Sequence, residues 1–359
     1  MMSYIDIPDG WECAAGHIQQ DRKTCIVIGN IDSGKSTLCK YLIQTWTASG
    51  INVGYVDSDL GQSTLGPPTT VCLKVFKTPP QTSDFSNPPF LHFVGNTSPE
   101  GFLLQTLLAL KLLVDKSHRQ GSGITLIDTT GFVDGPVARI LKLHKIEMLQ
   151  PQRIIAVQIG DEIEHLLAGY EKMGWQVTRL ASSKRAIART QADRQRYRTE
   201  KYRAYFQDAK IVKCSLDKLI LPSCMLGTGQ KILSSEYPKE VFEHCSNIPY
   251  LEKCGRELLV IAERMDTSVP LYKLRNYFDV ASIALIEKQE LRDLLVGLND
   301  RDNNTLGLGI VVDLDPYAGT LTLFTPVPDI HKASTIRLGA IKIERGERES
   351  GKTRVIHYV

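Results

Sequence analysis

The chain has 359 residues, of which 42% are hydrophobic and 23% charged, and its formal net charge is +3. Such a length holds two domains, or one large domain with an appendage, and the composition is that of an ordinary globular protein. A charge this small does not mark a nucleic-acid binder, no apolar run reaches the ~18 residues of a membrane span, and the eight cysteines contain no C-x-x-C pair that would suggest zinc.

The N-terminus has no signal-peptide pattern, and with thiols scattered through apolar stretches a reducing, cytoplasmic compartment is expected. Residues 1–23 read as a short extension, with Trp11 expected to pack on a sheet edge. Residues 24–28 are apolar and rich in β-branched side chains, as in a buried parallel strand, and 36–48 place apolar residues at helical spacing. Between them stand Gly29, Asn30, Ile31, Asp32, Ser33, Gly34, Lys35, Ser36 and Thr37, which fit the pattern G-x-x-x-x-G-K-[ST]. A strand, a glycine turn and a helix N-terminus together make an anion cradle, because inward-turned N–H groups and the helix dipole both favour phosphate. Lys35 then reaches the outer phosphates, and the Ser36 hydroxyl sits on Mg²⁺.

A second strand over 51–57 delivers Asp57, Asp59 and Gln62 at its carboxyl end, where ligands of open α/β sheets bind. Strand-like runs follow at 71–76 and 91–95, then a helix over about 100–117 that is apolar nearly all round and expected to be buried. A third clear strand, 124–128, leads into Thr129, Thr130, Gly131 and Phe132; helix 135–149, strand 153–159 and helix 162–173 complete the alternation. This order predicts an α/β fold, a P-loop NTPase-type parallel sheet with helices on both faces. Residues 179–210 hold ten basic residues against three acidic ones. Beyond Lys210 the alternation is lost, and strand-like runs at 211–214, 258–262, 281–286, 309–313, 320–325 and 336–343 suggest a smaller β-rich domain. The expected division is 1–23, a kinase-like domain over 24–219 with a basic lid over 184–207, and a β-rich domain over 220–359.

The phosphate loop alone does not choose a chemistry. Asp128-x-x-Gly131 matches a GTPase switch, but no N-K-x-D guanine-reading segment accompanies it, so ATP is favoured over GTP. Asp57 and Asp59, one residue apart on a strand end, point to the same side. One carboxylate can hold Mg²⁺ and the other can take a proton from an incoming hydroxyl, the two needs of phosphoryl transfer to an alcohol. Gln62 is placed to bond a phosphate or a metal-bound water. On helical geometry Arg185, Arg189, Arg196 and Arg203 share one face, with Arg194, Arg198 and Lys201 roughly opposite, as for a helix bridging nucleotide phosphates and a polyanionic acceptor. Phe132, Trp175 and the tyrosines of this segment are all candidates for stacking on a base.

Taken in order, the 29–37 loop, Asp57-x-Asp59-x-Gly61-Gln62, Gly95-x-x-Ser98-Pro99, Thr129-x-Gly131-Phe132 and the arginine-rich lid resemble the polynucleotide 5′-hydroxyl kinase family. That family includes the RNA kinase subunit of the pre-mRNA cleavage machinery and a kinase of ribosomal-RNA processing. The resemblance covers about 20–210 and continues into Gly307-x-Gly309-Ile310-Val311 and Leu323-Phe324-Thr325-Pro326. It implies ATP and Mg²⁺ as cofactors and the 5′-hydroxyl of RNA as acceptor, with DNA open as a second, in RNA processing or repair. It implies Lys35 on the phosphates and Ser36 on the metal, Asp59 as general base, and Asp57 or its neighbours around Mg²⁺. It further implies Thr129, Gly131 and Phe132 as a clasp beside the lysine, Arg194 and Arg198 as lid arginines with Arg189 a further candidate, and Ser98 on the substrate side. Two departures stand out: Phe132 replaces the usual Trp, and no separate N-terminal β-domain precedes the phosphate loop, as in a compact, prokaryotic-type member. The alternative is an ATP-bound RNA-processing scaffold that no longer transfers phosphate.

Overall fold

The computed structural model describes residues 7–21, 23–184, 186–224, 226–238, 249–264, 271–344 and 348–358. Arg185, expected on the lid, lies outside these residues. Two compact units divide the chain, Met1–Lys201 and Tyr202–Val359. The boundary expected after residue 219 therefore moves forward. The reason is strand pairing: Lys210–Ser215 runs antiparallel to Thr320–Thr325, as an edge strand of the second unit's sheet.

The first unit is built on seven strands, β1 (Thr24–Gly29), β2 (Val53–Ser58), β3 (Thr70–Phe76), β4 (Phe90–Phe93), β5 (Ile124–Thr129), β6 (Arg153–Gln158) and β7 (Val177–Ala181), in the order β4-β3-β2-β5-β1-β6-β7. Pairs from β2 to β7 are parallel, while β3 and β4 are antiparallel additions at one edge. Five helices accompany them, α1 (Trp11–Asp21), α2 (Lys35–Ala48), α3 (Leu103–Arg119), α4 (Gly135–Leu149) and α5 (Glu164–Lys172), and α6 (Gln191–Phe206) starts in this unit and ends past its last residue, Lys201. All six residues of β1, β2 and β5 are buried, because helices cover both faces and the strands need apolar residues at every position.

The two faces can be read residue by residue. Cys25, Val27, Leu126, Ile155 and Val157 join the core beneath α1 and α2, whereas Ile26, Ile28, Ile127, Ile154 and Ala156 join the core beneath α3, α4 and α5. That is the period-2 alternation of a strand, and each fully buried Ile, Val or Leu contributes roughly 1.5–3 kcal/mol relative to exposure. Helix α1 presents Trp11, Ala14, Ala15 and Ile18 to the core at helical spacing. The Trp11 Nε1–H donates to the Ala181 carbonyl at 3.0 Å, so this ring does pack on the edge strand β7. Trp46 Nε1 on α2 donates to the Ala15 carbonyl at 2.9 Å, fastening α1 to α2.

Helix α3 departs from expectation. Its buried face is Thr106, Ala109, Leu110, Leu113, Val114 and Ser117, while Leu104 is 80% exposed and Leu108 43%. An even spread of leucines masked a one-sided helix. No helix among the described residues is long and apolar enough to cross a membrane.

The second unit holds a six-stranded antiparallel sheet, with 294–299, 305–315 and 320–325 at its centre, and a five-stranded sheet over 230–358. Leu259, Ile261, Ala284 and Ile286 of the smaller sheet share one core with Leu294, Val296, Leu321 and Leu323 of the larger.

Candidate active site

Because β1, β2 and β5 run parallel, their carboxyl ends deliver the 29–37 loop, Asp57 with Asp59, and Asp128 to the same edge of the sheet. The loop turns into α2 through Gly34, whose φ of 86° lies in the left-handed region that glycine adopts without strain. Lys35 is buried and its Nζ donates to the Asn30 carbonyl at 2.6 Å, folding the side chain over its own loop. Of the residues expected from sequence, Ile31, Asp32, Gly34, Lys35, Ser36, Thr37, Asp59, Gln62, Ser98, Gly131, Phe132, Arg189, Arg194 and Arg198 line one cleft of about 860 Å³. Gly29, Asn30, Ser33, Asp57 and Thr129 do not line it.

The two carboxylates of β2's end have different surroundings. Asp57 is buried, and its Oδ2 accepts from Ser63 Oγ, Thr64 N, Thr64 Oγ1 and Leu65 N at 2.6–3.1 Å, while Oδ1 accepts from Asp59 N. A carboxylate so enclosed organises the 59–65 turn, and it is not free to ligate a metal in the cleft. Burial raises its pKa, with Asp59 adding to the effect and backbone N–H groups opposing it. Asp59 does face the cleft. Its Oδ1 accepts from Gly61 N at 3.0 Å and Gln62 N at 2.9 Å, and no hydrogen bond from a described residue is found at Oδ2.

A further candidate to hold a metal is Asp128, the last-but-one residue of β5, which stands behind Ser36 rather than lining the cleft and was read from sequence only as part of a possible GTPase switch. Ser36 Oγ donates to its Oδ2 at 2.6 Å and Tyr55 Oη to the same oxygen at 3.1 Å, while its buried Oδ1 bonds no described residue. Burial, then Asp57, push its pKa up to about 7 against the pull of Lys35. An orphaned carboxylate oxygen beside a hydroxyl is a hard-oxygen donor set of the kind Mg²⁺ takes, with its remaining positions left to water and phosphate.

The lid begins where β7 ends. Ser182 Oγ donates to the Ser33 carbonyl at 2.8 Å, and Arg189 Nη1 donates to Gln62 Oε1 at 3.2 Å. Helix α6 starts at Gln191, later than the basic run, because Thr190 and Asp193 form a reciprocal cap: Asp193 N donates to Thr190 Oγ1 at 3.1 Å, and Thr190 N and Oγ1 donate to Asp193 Oδ2 at 3.1 and 2.6 Å. Arg189 therefore precedes the helix and shares no face with Arg196 or Arg203. Arg194 and Arg198 reach the cleft, one turn apart; Arg196 is exposed. Tyr197 lines the cleft too, its Oη donating to the Ser63 carbonyl at 2.7 Å, with Arg189 and Lys201 each 5.6 Å from its ring. Arg179, counted with the basic run, belongs elsewhere: it pairs with Glu164 at 2.8 Å and Glu171 at 2.6 Å. Trp175 packs against the core beneath α3, α4 and α5, leaving Phe132 and Tyr197 as the stacking candidates in the cleft.

Three lysines complete the site. Lys40 lines the cleft one turn beyond the phosphate loop, its pKa lowered chiefly by burial. Lys142 and Lys145 on α4 are wholly buried. Lys142 Nζ donates to Thr129 Oγ1 and to the Thr130 carbonyl, both at 2.7 Å, so it holds the clasp from behind. Gly131 brings that clasp against the phosphate loop, where a Cβ would stand 2.6 Å from the Ile31 backbone. The signal for the buried pair was available in sequence: Lys142 and Lys145 occupy core-facing positions with Ala138, Leu141 and Ile146.

Comparisons with known proteins identify the family. Residues 29–208 match the family described as mRNA cleavage and polyadenylation factor CLP1 P-loop. The chain is 32% identical over 336 residues to a polyribonucleotide 5′-hydroxyl-kinase of Methanocaldococcus jannaschii, covering 91% of this chain and 88% of that protein. It is 29% identical over 354 residues to another so named from Pyrococcus horikoshii, covering 96% and 93%. A chain of the solved wild-type Clp1p–Pcf11p complex superposes with a TM-score of 0.60 at 13% identity, over 92% of this chain and 78% of that one, which is a likeness of fold.

Proposed function

Because the chain belongs to the CLP1 P-loop family, we propose that it is an ATP- and Mg²⁺-dependent kinase that phosphorylates the 5′-hydroxyl of RNA. The observation that carries this reading is the single cleft in which the phosphate cradle, the Asp59 carboxylate and the lid arginines meet. The relatives' names supply the acceptor class.

In this reading the 29–37 loop receives the β- and γ-phosphates on its N–H groups and the α2 dipole. Lys35 exchanges the Asn30 carbonyl for a phosphate oxygen. Ser36 and Asp128 would hold Mg²⁺, which when bound would supply charge neutralisation to the polyphosphate. Asp59 accepts the proton of the 5′-hydroxyl through Oδ2, held toward it by the two N–H groups on Oδ1. The 5′-oxygen forms its bond to the γ-phosphorus as the bond to the β–γ bridging oxygen breaks, and ADP leaves. Arg194 and Arg198 stabilise the charge on the equatorial oxygens. Phe132 or Tyr197 offers a face to the terminal base.

The test is direct. Purified protein incubated with γ-labelled ATP, Mg²⁺ and a 5′-hydroxyl RNA oligonucleotide should label the RNA, and chelation of the metal should stop it. Absence of label above a Lys35→Ala control would falsify the catalytic reading and favour the ATP-bound scaffold. A DNA oligonucleotide of the same sequence, run in parallel, settles the second acceptor.

A further inference from the structure

Asp32 is an unexpected residue in a loop shaped for a polyphosphate, because its carboxylate repels the ligand that the surrounding N–H groups attract. Its backbone is constrained as well: φ is 57°, a left-handed conformation that Asp and Asn tolerate better than most residues. The carboxylate is committed to the lid. Its Oδ2 accepts from the backbone N–H of Arg189 at 2.9 Å and from Arg194 Nη2 at 2.7 Å. Gln62 closes the ring, accepting from Arg189 Nη1 at 3.2 Å and donating to the Arg194 carbonyl at 3.4 Å. Arg194 is thus fixed through one Nη, while its buried Nε bonds no described residue. The guanidinium keeps donors that its present partner does not take up.

The plain alternative is an ordinary surface ion pair, worth little. Three observations speak against it. The side chains of Arg194 and Asp32 are only 28% and 20% exposed. The same carboxylate oxygen also takes a backbone N–H from the segment before α6. And the carboxylate lines the cleft from a left-handed position in the loop that the proposed function gives to the phosphates, a costly place for a dispensable contact.

We propose that Asp32 is the positioning residue of the lid: its carboxylate holds residues 186–198 over the phosphate loop and sets the place from which Arg194 meets the transferring phosphate. The role of Arg194 in transfer rests on the kinase reading above; the hold on the lid does not.

Two variants separate the possibilities. Asp32→Asn keeps the shape and the left-handed tolerance but removes the charge, and Asp32→Gly removes the acceptor while keeping φ unstrained. In the ligand-free protein, hydrogen exchange of the 186–198 amides should rise by about tenfold in Asp32→Gly and by less in Asp32→Asn. ATP affinity by calorimetry should hold or tighten, since a repelling charge is gone, while kcat falls by about tenfold or more. Adding Asp32→Gly to Arg194→Met should cost little further, because Asp32 acts on transfer through Arg194. Unchanged lid exchange in Asp32→Gly would overturn the hold. ATP affinity falling in step with kcat would make Asp32 a structural part of the loop and overturn the proposal. Raised lid exchange with wild-type kcat would overturn the placing of Arg194. If the wild-type protein phosphorylated no oligonucleotide, the kinase reading would fail alone, and exchange with ATP titration would still decide the hold.

Discussion

A buried ammonium is among the costliest groups a fold can carry, and α4 carries two of them. Lys142 is held by two short bonds to the clasp, but among the described residues Lys145 has only Ser58 Oγ at 3.5 Å. Burial lowers the Lys145 pKa from 10.5 to about 8, with Asp59 and Asp128 opposing the fall. The sign follows from linkage. Below pH 8 the side chain is charged in both folded and unfolded chains, and the fold bears the full cost of burial. Between 8 and 10.5 the folded lysine loses its proton while the unfolded one keeps it, so the cost fades as pH rises. Lys145→Met should therefore be more stable than the wild type at pH 7, and its advantage in urea midpoint should shrink by pH 9.5. A gap that stays constant over that range would show that Lys145 titrates elsewhere. A position so expensive, near enough to Asp59 and Asp128 to feel both charges, fits a role in holding positive charge beneath the proposed phosphate site.

At the scale of the element, α6 explains why the site was only partly legible. Its net composition announced an anion-binding lid, yet face assignments made on a helix starting near 184 went astray, because the Thr190–Asp193 cap begins the helix at Gln191. Arg194 and Arg198 survive that shift, since four residues remain one turn apart on any helix. Arg194→Ala or Arg198→Ala should lower kcat by about 10³-fold, as for arginines that meet a transferring phosphoryl group, with ATP affinity changed far less. Single-turnover labelling beside ATP titration checks it, and wild-type turnover in both variants would remove them from the chemistry. Strands β1, β2, β5 and β6 were readable because burial on both faces leaves a continuous apolar run. Strand β7 was not: it is half-buried at the sheet edge, with an arginine at its centre. The strands 250–254 and 294–299 escaped as well, although the second is buried throughout, because Gly297 and Asn299 interrupt its apolar run. Spacing alone could not tell Asp57 from Asp59, and only the resemblance gave them separate roles, since what separates them physically is the turn of 61–65 closing on one and leaving the other open.

At the scale of the molecule, the tryptophans are distributed unevenly. All three, Trp11, Trp46 and Trp175, belong to the first unit, which also contains the whole cleft. The second unit has its own core, in which Leu323 is fully buried, and no tryptophan. Tryptophan emission therefore reports one unit, whereas far-ultraviolet circular dichroism reports both. A ligand that binds only the folded first unit stabilises it by mass action, by about 2.7 kcal/mol when free ATP stands at about 100 times its Kd. Mg-ATP should accordingly raise the midpoint seen by tryptophan emission. Leu323→Ala should remove about 2–5 kcal/mol from the second unit through the cavity it leaves. If each core sustains its own unit, that loss appears as an earlier transition in circular dichroism, while the tryptophan midpoint and its shift with Mg-ATP are kept. A tryptophan midpoint that falls together with the dichroism transition would show instead that the two cores unfold as one cooperative body. The nucleotide site would then owe part of its stability to a unit that contributes no residue to the cleft.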